Sequence, residues 1–188
     1  NTLFVGTQAG RLLKLTDAHA VPSVDDITGS LYDEVVVGNV SCIELGEDEE
    51  QILVTFSNYG VISVWESFNG GTTWTNKEGD LPDMPVRWAL YNPNNRQEVI
   101  LATEVGIWST SDFNSNSPEW TASNSGLANV RTDMLQIRDS DHFVIAATHG
   151  RGLFSTDAFS SQVAIQEEYF TPEKFLLHQN YPNPFNPK

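Results

Sequence analysis

Residues 51–74, QILVTFSNYGVISVWESFNGGTTW, contain the pattern from which the fold of the whole chain can be argued. An apolar run at 52–56 is followed by a turn at 58–60 and by a second apolar run at 61–66. Two such runs around a short glycine turn predict an antiparallel hairpin. The polar loop SFNGGTTW follows, in which two glycines allow positive φ and the Ser and Asn side chains can bond nearby backbone amides.

The same hairpin recurs along the chain. Gly10, Gly60, Gly106 and Gly152 each separate two apolar runs, and the spacings between these glycines are 50, 46 and 46 residues. Further runs flank the second and third hairpins, which gives four short strands in each repeat of about 46 residues. Four antiparallel strands at that period are typical of a β-propeller blade, and we therefore predict an all-β fold.

The first and last repeats are incomplete in the sequence. The first repeat lacks an opening strand, and residues 30–37 are predicted to be its outer strand. The last repeat has an opening run at 134–138, but no second Gly-Gly-x-Thr-Trp loop follows Asp157. We predict about three and a half four-stranded blades in residues 1–159, which other blades or another chain complete into a closed ring.

The composition narrows the classes of partner. The chain has 25 acidic and 10 basic residues, a net charge of −15, so it would repel a polyanion and nucleic acid is excluded as a partner. No apolar run is long enough for a transmembrane helix. Cys42 is the single cysteine and is predicted to be a small core residue. Calcium could bind among so many carboxylates, although a solvated acidic surface is the preferred interpretation, and no other cofactor is predicted.

The loop after the second hairpin resembles the Asp-box, or BNR repeat, of sialidases, sortilin-type receptors and xyloglucanase-like propellers. The residues that carry this resemblance are Ser67, Asn69, Gly70, Gly71, Thr73 and Trp74, with Asn69 where the family usually has Asp. In the later repeats, Asp112 and Asp157 are assigned to the Asp-box aspartate, and Trp120 is assigned to the position of Trp74. The resemblance implies that these loops lie on the outside of the blades and serve the architecture rather than a reaction.

The composition changes after the last hairpin. Residues 160–169 are polar and acidic and are predicted to be a linker. Residues 170–188, FTPEKFLLHQNYPNPFNPK, contain prolines that favour an extended tail. This tail is similar to the opening of the C-terminal sorting domain of the type IX secretion system in Bacteroidetes. The resemblance implies that the protein is extracellular or lies at the cell surface.

Two arginines are candidates for a binding site near the axis of the propeller. Arg87 and Arg131 are assigned to matching places at the start of their opening strands, where they could form a carboxylate clamp. The alternative is that they pair with Asp83 and Asp133. Sialidases of this fold use three arginines, a Tyr-Glu pair and an acid-base Asp, and that complete set is not present in this sequence.

Three other residues could contribute to binding. Trp88 could stack on a sugar, although a position in the core is the preferred interpretation. His149 and Arg151 lie in a glycine-rich turn that could hold an anion, or that could contain a simple bulge. The sequence contains no zinc-ligand spacing and no nucleophile or nucleotide motif. It therefore favours a binding or structural module for glycan or protein over an enzyme, with a glycoside hydrolase whose catalytic residues lie largely outside this chain as the alternative.

Overall fold

The computed structural model describes residues 1–31 and 38–160, which form fourteen β-strands in four antiparallel sheets. The strands are β1 (Thr2–Gly6), β2 (Leu12–Thr16), β3 (Ser23–Asp26), β4 (Val40–Leu45), β5 (Ile52–Phe56), β6 (Val64–Ser67), β7 (Thr75–Asn76), β8 (Val86–Asn92), β9 (Asn95–Thr103), β10 (Gly106–Thr110), β11 (Thr121–Ala122), β12 (Thr132–Arg138), β13 (Phe143–Thr148) and β14 (Gly152–Thr156). The predicted all-β class is confirmed. Apart from Ser160, the predicted linker and tail lie outside the described residues.

Each sheet is a meander of consecutive strands, which we number as the first to the fourth blade. The strand orders are β1-β2-β3, β4-β5-β6-β7, β8-β9-β10-β11 and β12-β13-β14. The opening strands β4, β8 and β12 contact one another in succession, so they form the inner edge of the assembly. Strands β3, β7 and β11 lie at the outer edge. The first blade therefore lacks an inner strand and the fourth lacks an outer one within the described chain, which makes three and a half blades.

The outer strand of the first blade differs from the prediction. It is β3, whose Val24 lies opposite Leu15 of β2, and not the segment 30–37. Ser30 and Leu31 lie in the turn that follows β3, and residues 32–37 are outside the described chain. The position of a strand in a sheet depends on the partner that each segment finds, which strand propensity does not report.

The core is divided among the three interfaces between adjacent blades. The interface between the second and third blades contains Tyr91, Phe113 and Trp120, whose rings meet edge to face at centroid distances of 5.8 and 6.0 Å. Burial of side chains of this size contributes roughly 1.5–3 kcal/mol each. Cys42 is buried, and burial raises the pKa of its thiol to about 12, which agrees with a core role.

Candidate functional site at the inner edge of the blades

Three opening strands carry the same irregularity near their start. Strands β4, β8 and β12 each shift register against the following strand by one residue. The extra residues are Ser41, Arg87 and Asp133, which we call the bulge row. A β-bulge changes the direction of its side chain, and here the side chains reach the next blade. The Ser41 hydroxyl donates to the Val86 carbonyl at 2.6 Å, and Arg87 Nε lies 3.9 Å from Asp133 Oδ1.

The bulge row changes the predicted correspondence between the two arginines. Arg87 is equivalent to Asp133 of the next blade, and Arg131 lies two residues before that position. Arg131 Nε donates to Asp133 Oδ1 at 2.6 Å, as the ion-pair interpretation predicts. Arg87 binds Glu104, with Nε 3.1 Å from Oε2, and not Asp83. A one-residue bulge accounts for the altered register, and hydrophobic periodicity does not reveal such a bulge.

His149 completes a charged cluster around Asp133. Its Nδ1 lies 3.6 Å from Asp133 Oδ2, its backbone N–H donates to the Arg131 carbonyl at 2.8 Å, and its side chain is 70% exposed. Arg87 and Glu104 extend the contacts into the third blade. The charged cluster is therefore made of Arg87, Glu104, Arg131, Asp133 and His149.

The remaining predicted binding residues lie beside this cluster or apart from it. Arg151 Nη1 donates to the Leu127 carbonyl at 3.5 Å. Gly150 and Gly152 both have positive φ, so the turn has the form that the bulge interpretation predicts. Trp88 is partly buried and packs against the core between the third and fourth blades.

The polar loops at the outer edge are held by equivalent side-chain acceptors. Asn69 Oδ1 accepts a hydrogen bond from the Thr73 backbone at 2.9 Å, and Asp112 Oδ1 accepts one from the Glu119 backbone at 3.1 Å. Asn69 also accepts from the Ser67 hydroxyl, at 3.0 Å. Thus an amide oxygen and a carboxylate oxygen perform the same task in successive blades.

Asp157 lies one position before the equivalent acceptor of the fourth blade. The Asp112 backbone donates to Thr110 Oγ1 at 3.2 Å, and in the fourth blade it is the Ala158 backbone that donates to Thr156 Oγ1, at 3.1 Å. Ala158 therefore takes the place to which Asp157 was assigned. Its methyl group has no acceptor atom, so the fourth blade lacks this loop bond.

The tryptophans after these loops tie each blade to the previous one. Trp74 Nε1 donates to the Ile27 carbonyl at 3.2 Å, and Trp120 Nε1 donates to the Lys77 carbonyl at 3.2 Å. Their backbone N–H groups bond the side chains of Ser30, at 3.1 Å, and of Asp80, at 2.6 Å. We call this pair of bonds the tryptophan bracket. It satisfies the indole N–H inside the interface, as a buried tryptophan requires.

A buried ion pair between the second and third blades was not predicted. Lys77 Nζ lies 3.5 Å from Glu66 Oε2, and both side chains are almost completely buried. Lys77 also donates to the Phe113 carbonyl at 2.9 Å, and the Tyr91 hydroxyl donates to Glu66 Oε1 at 2.7 Å. Burial and the Glu66 charge raise the pKa of Tyr91. Nothing in the repeat pattern signals this pair, because Lys77 follows the short exposed strand β7 and the equivalent positions of the third blade, Ser109 and Ser123, are uncharged.

Comparison with known proteins decides the architecture. No family model and no curated protein matches the chain. Among solved structures, it is similar to the Cps50 (Swd1) β-propeller domain of Myceliophteria thermophila, with a TM-score of 0.58 and 16% identity over 84% of this chain. This chain has the fold of part of a β-propeller. A second structure, the GH74 enzyme of Niastella koreensis, matches 81% of the chain at 17% identity with a TM-score of 0.45 and covers 25% of that enzyme.

The propeller match also bears on the number of blades. The chain spans about half, 48%, of the Cps50 (Swd1) structure. Together with the open first and fourth blades, the partial match indicates that a closed ring needs further blades. In a propeller the opening strands surround a central channel. The charged cluster therefore lies beside the channel, and the tryptophan brackets lie at the rim.

The described part of the chain has neither a cluster of metal ligands nor a helix suited to a membrane. Among residues 1–31 and 38–160, no group of three or more His, Cys, Asp and Glu side chains is placed to hold a metal ion. In the same residues, no helix is long and apolar enough to cross a membrane.

Proposed function

We propose that this propeller is a secreted or cell-surface binding scaffold that presents its charged cluster to a glycan or protein ligand. Its other blades are supplied by a longer chain or by a second protein. The proposal rests on one observation: the loops at the rim are used for blade-to-blade bonds, whereas the charged cluster beside the channel is partly exposed. Side chains that do not serve the architecture are the ones available to a ligand.

The chemistry of the charged cluster suits a ligand rich in hydroxyl groups. Asp133 accepts from Arg131, lies near Arg87, and still has the solvent side of its carboxylate open. Guanidinium groups supply several donors in a plane, and carboxylates supply acceptors, so hydroxyl pairs can bond to both. The net charge of −15 disfavours a strongly acidic glycan as the ligand.

A glycoside hydrolase is the second candidate. The observation that favours it is that Arg87 lies between two carboxylates, Glu104 and Asp133, since glycosidases use a pair of carboxyl groups. Both carboxylates are paired with guanidinium groups in this cluster, whereas a glycosidase requires one carboxyl group that carries a proton. The binding scaffold is therefore preferred.

The proposed extracellular location is inferred from the sequence of the tail. The Asp-box and sorting-domain resemblances support it. Deletion of residues 176–188 in the source cells, which leaves residues 170–173 in place, is expected to move the protein from the medium or cell surface to the cell interior. An unchanged distribution after the deletion, measured by fractionation and immunoblotting, would contradict the proposed route.

Binding and hydrolysis can be separated with one substitution and one control. Asp133→Asn in the complete protein removes the charge that the Arg87 and Arg131 guanidinium groups share, and we expect about a tenfold loss of affinity on a glycan array. Asp141→Asn is the control, because Asp141 forms a comparable exposed pair with Arg138 away from the charged cluster. Equal binding by both variants would contradict the proposal that the charged cluster binds the ligand. Release of reducing sugar that Asp133→Asn abolishes would instead favour the hydrolase.

A further inference from the structure

A cavity of about 720 Å³ lies between the third and fourth blades, towards the rim. Its walls include Ile107, Ser123 and Leu127 of the third blade and Phe154, Thr156 and Phe159 of the fourth. Strand β14 borders this cavity. Among the described strands it pairs with β13, and its other edge is open. The open edge and the adjoining cavity thus form one unfilled space.

Trp120 fills the same space one interface earlier. Register identifies the equivalent residues, because the Lys77 backbone donates to the Val64 carbonyl at 2.9 Å and the Ser123 backbone donates to the Ile107 carbonyl at 2.8 Å. Equivalent pairs in the two interfaces are Val64 and Ile107, Lys77 and Ser123, Leu81 and Leu127, and Phe113 and Phe159. Val64, Leu81 and Phe113 belong to the core cluster that contains Trp120, and the Lys77 carbonyl accepts from its indole. The second residue of each pair borders the cavity. The cavity therefore lies at the position that Trp120 occupies in the preceding interface. The Ser123 carbonyl is equivalent to the Lys77 carbonyl, which accepts a hydrogen bond from the Trp120 indole.

The sequence after the described residues contains a matching segment. The second and third blades have Trp-Thr-Asn-Lys at 74–77 and Trp-Thr-Ala-Ser at 120–123, and the chain continues with Phe-Thr-Pro-Glu at 170–173. We propose that residues 170–173 form the fourth strand of the last blade, pair with β14, and place the Phe170 ring in the cavity. All five tryptophans precede residue 121, so phenylalanine replaces tryptophan in this blade. The proposal extends the propeller beyond residue 159.

The connection is long enough for this pairing. Trp74 comes seven residues after Ser67, and Trp120 comes ten residues after Thr110, which is the equivalent loop start. Phe170 comes fourteen residues after Thr156, the loop start of the fourth blade. The loop lengthens in each successive blade, and longer surface loops add little closure cost.

Pro172 fits the position that it would occupy. It is equivalent to Asn76 and Ala122, which lie opposite Trp65 and Trp108. The neighbouring residues Lys77 and Ser123 donate their backbone N–H groups to the third strand, so in an antiparallel pair the residue before each has its N–H directed away. Proline is tolerated at such an outward-facing position of an edge strand.

The turn of the third blade differs from the turns of the first two. A Cβ added to Gly29 or Gly79 would meet the next loop, at 2.5 Å from the Gly71 oxygen and 1.9 Å from the Pro118 oxygen respectively. Ser125 stands at the equivalent position of the third blade. A Cβ is therefore present at this turn in the third blade, where the first two blades have a glycine beside the next loop.

A paired-cysteine experiment in the complete chain tests the register. Thr75 lies opposite Glu66 and Thr121 lies opposite Ser109, so the proposal places Thr171 opposite Ser155. Ser155→Cys with Thr171→Cys should form an intramolecular disulfide, because directly opposed strand residues have Cα separations that a disulfide can span. Ser155→Cys with His178→Cys is the control. Non-reducing electrophoresis and mass spectrometry measure the cross-linking. Equal cross-linking in both variants, or none in either, would overturn the proposal.

Amide hydrogen exchange tests the occupant of the cavity. The Ser155 amide should exchange slowly in the unaltered chain, and Phe170→Ala should accelerate it about tenfold or more because the strand loses its anchor. Phe185→Ala, which removes a ring of the same type from the tail, should leave the rate unchanged. Exchange at the unprotected rate in the unaltered chain would overturn the proposal. So would protection that persists in Phe170→Ala, since a strand from another blade or a second copy would then fill the site.

Discussion

The interface between the second and third blades is filled to the rim, whereas the described residues fill the interface between the third and fourth blades at its inner part alone. Both interfaces are built from equivalent hairpins and equivalent inner strands of successive blades. The filled interface has Phe113 and Trp120 side by side, and the other has Phe159 beside a cavity. Inner strands and hairpins therefore do not complete a blade interface. The aromatic residue at the start of the outer strand completes it.

The two interfaces also differ in their polar contents. Glu66 and Lys77 form a buried ion pair in the second blade. Their equivalents in the third blade are Ser109 and Ser123, whose hydroxyl groups lie 2.7 Å apart beside the cavity. The same two positions thus hold a charged pair covered by aromatic rings in the second blade and a small neutral pair near solvent in the third. The ion pair is therefore a feature of one interface and is not repeated at the equivalent positions of the next blade.

The largest expected effect is on packing. Phe113→Ala should lower the free energy of unfolding by about 4 kcal/mol, because it leaves a cavity beneath Trp120 in a close-packed region. In a Phe170→Ala background, Phe159→Ala should cost about 2 kcal/mol, since Phe159 then borders an open space. Urea denaturation of each variant against its parent chain checks the difference. Equal losses would show that a group other than Phe170 packs against Phe159.

The ion pair should give the next largest effect. Lys77→Met should lower the free energy of unfolding by about 3 kcal/mol, because it leaves the Glu66 carboxylate buried without its cation. Combining it with Glu66→Leu should restore most of that loss, since no buried charge then remains. The matched pair Ser109→Ala and Ser123→Ala should change stability by less than about 1 kcal/mol. A double variant that is less stable than Lys77→Met would contradict this account.

The smallest expected effect depends on pH. Burial raises the pKa of Glu44 to about 7, from a model-compound value of 4.5. The folded state therefore holds a proton that the unfolded state has lost between these values, so stability falls as pH rises from about 4.5 to about 7. After allowance for partial exposure, the expected fall is about 1–2 kcal/mol.

Glu44→Gln should remove that dependence. Leu90 takes the equivalent position in the interface that holds the cavity, so a neutral residue is compatible with this place in a blade. Thermal denaturation across the pH range measures the effect. An unchanged slope in Glu44→Gln would show that another group causes the fall.

Hairpins, period and fold class followed from the sequence because they depend on neighbours in the chain. The four turn glycines, Gly10, Gly60, Gly106 and Gly152, all have positive φ, which is the conformation that makes glycine necessary there. Alternation of apolar residues is likewise local, and strands such as β5 were predicted at their observed bounds. The propeller architecture followed from the count of strands per repeat.

The site and the exact pairings were decided by contacts between residues about 45 positions apart. The bulge row made Arg87 equivalent to Asp133 and not to Arg131, and the acceptor place in the fourth blade belongs to Ala158 and not to Asp157. A register shift of one residue reverses the face of a side chain, and the hydrophobic pattern tolerates such a shift where polar residues begin a strand. The charged cluster joins the third and fourth blades through Arg87 and Asp133, and the buried ion pair joins neighbouring strands of the second blade. The sequence of a single strand therefore does not reveal either of them.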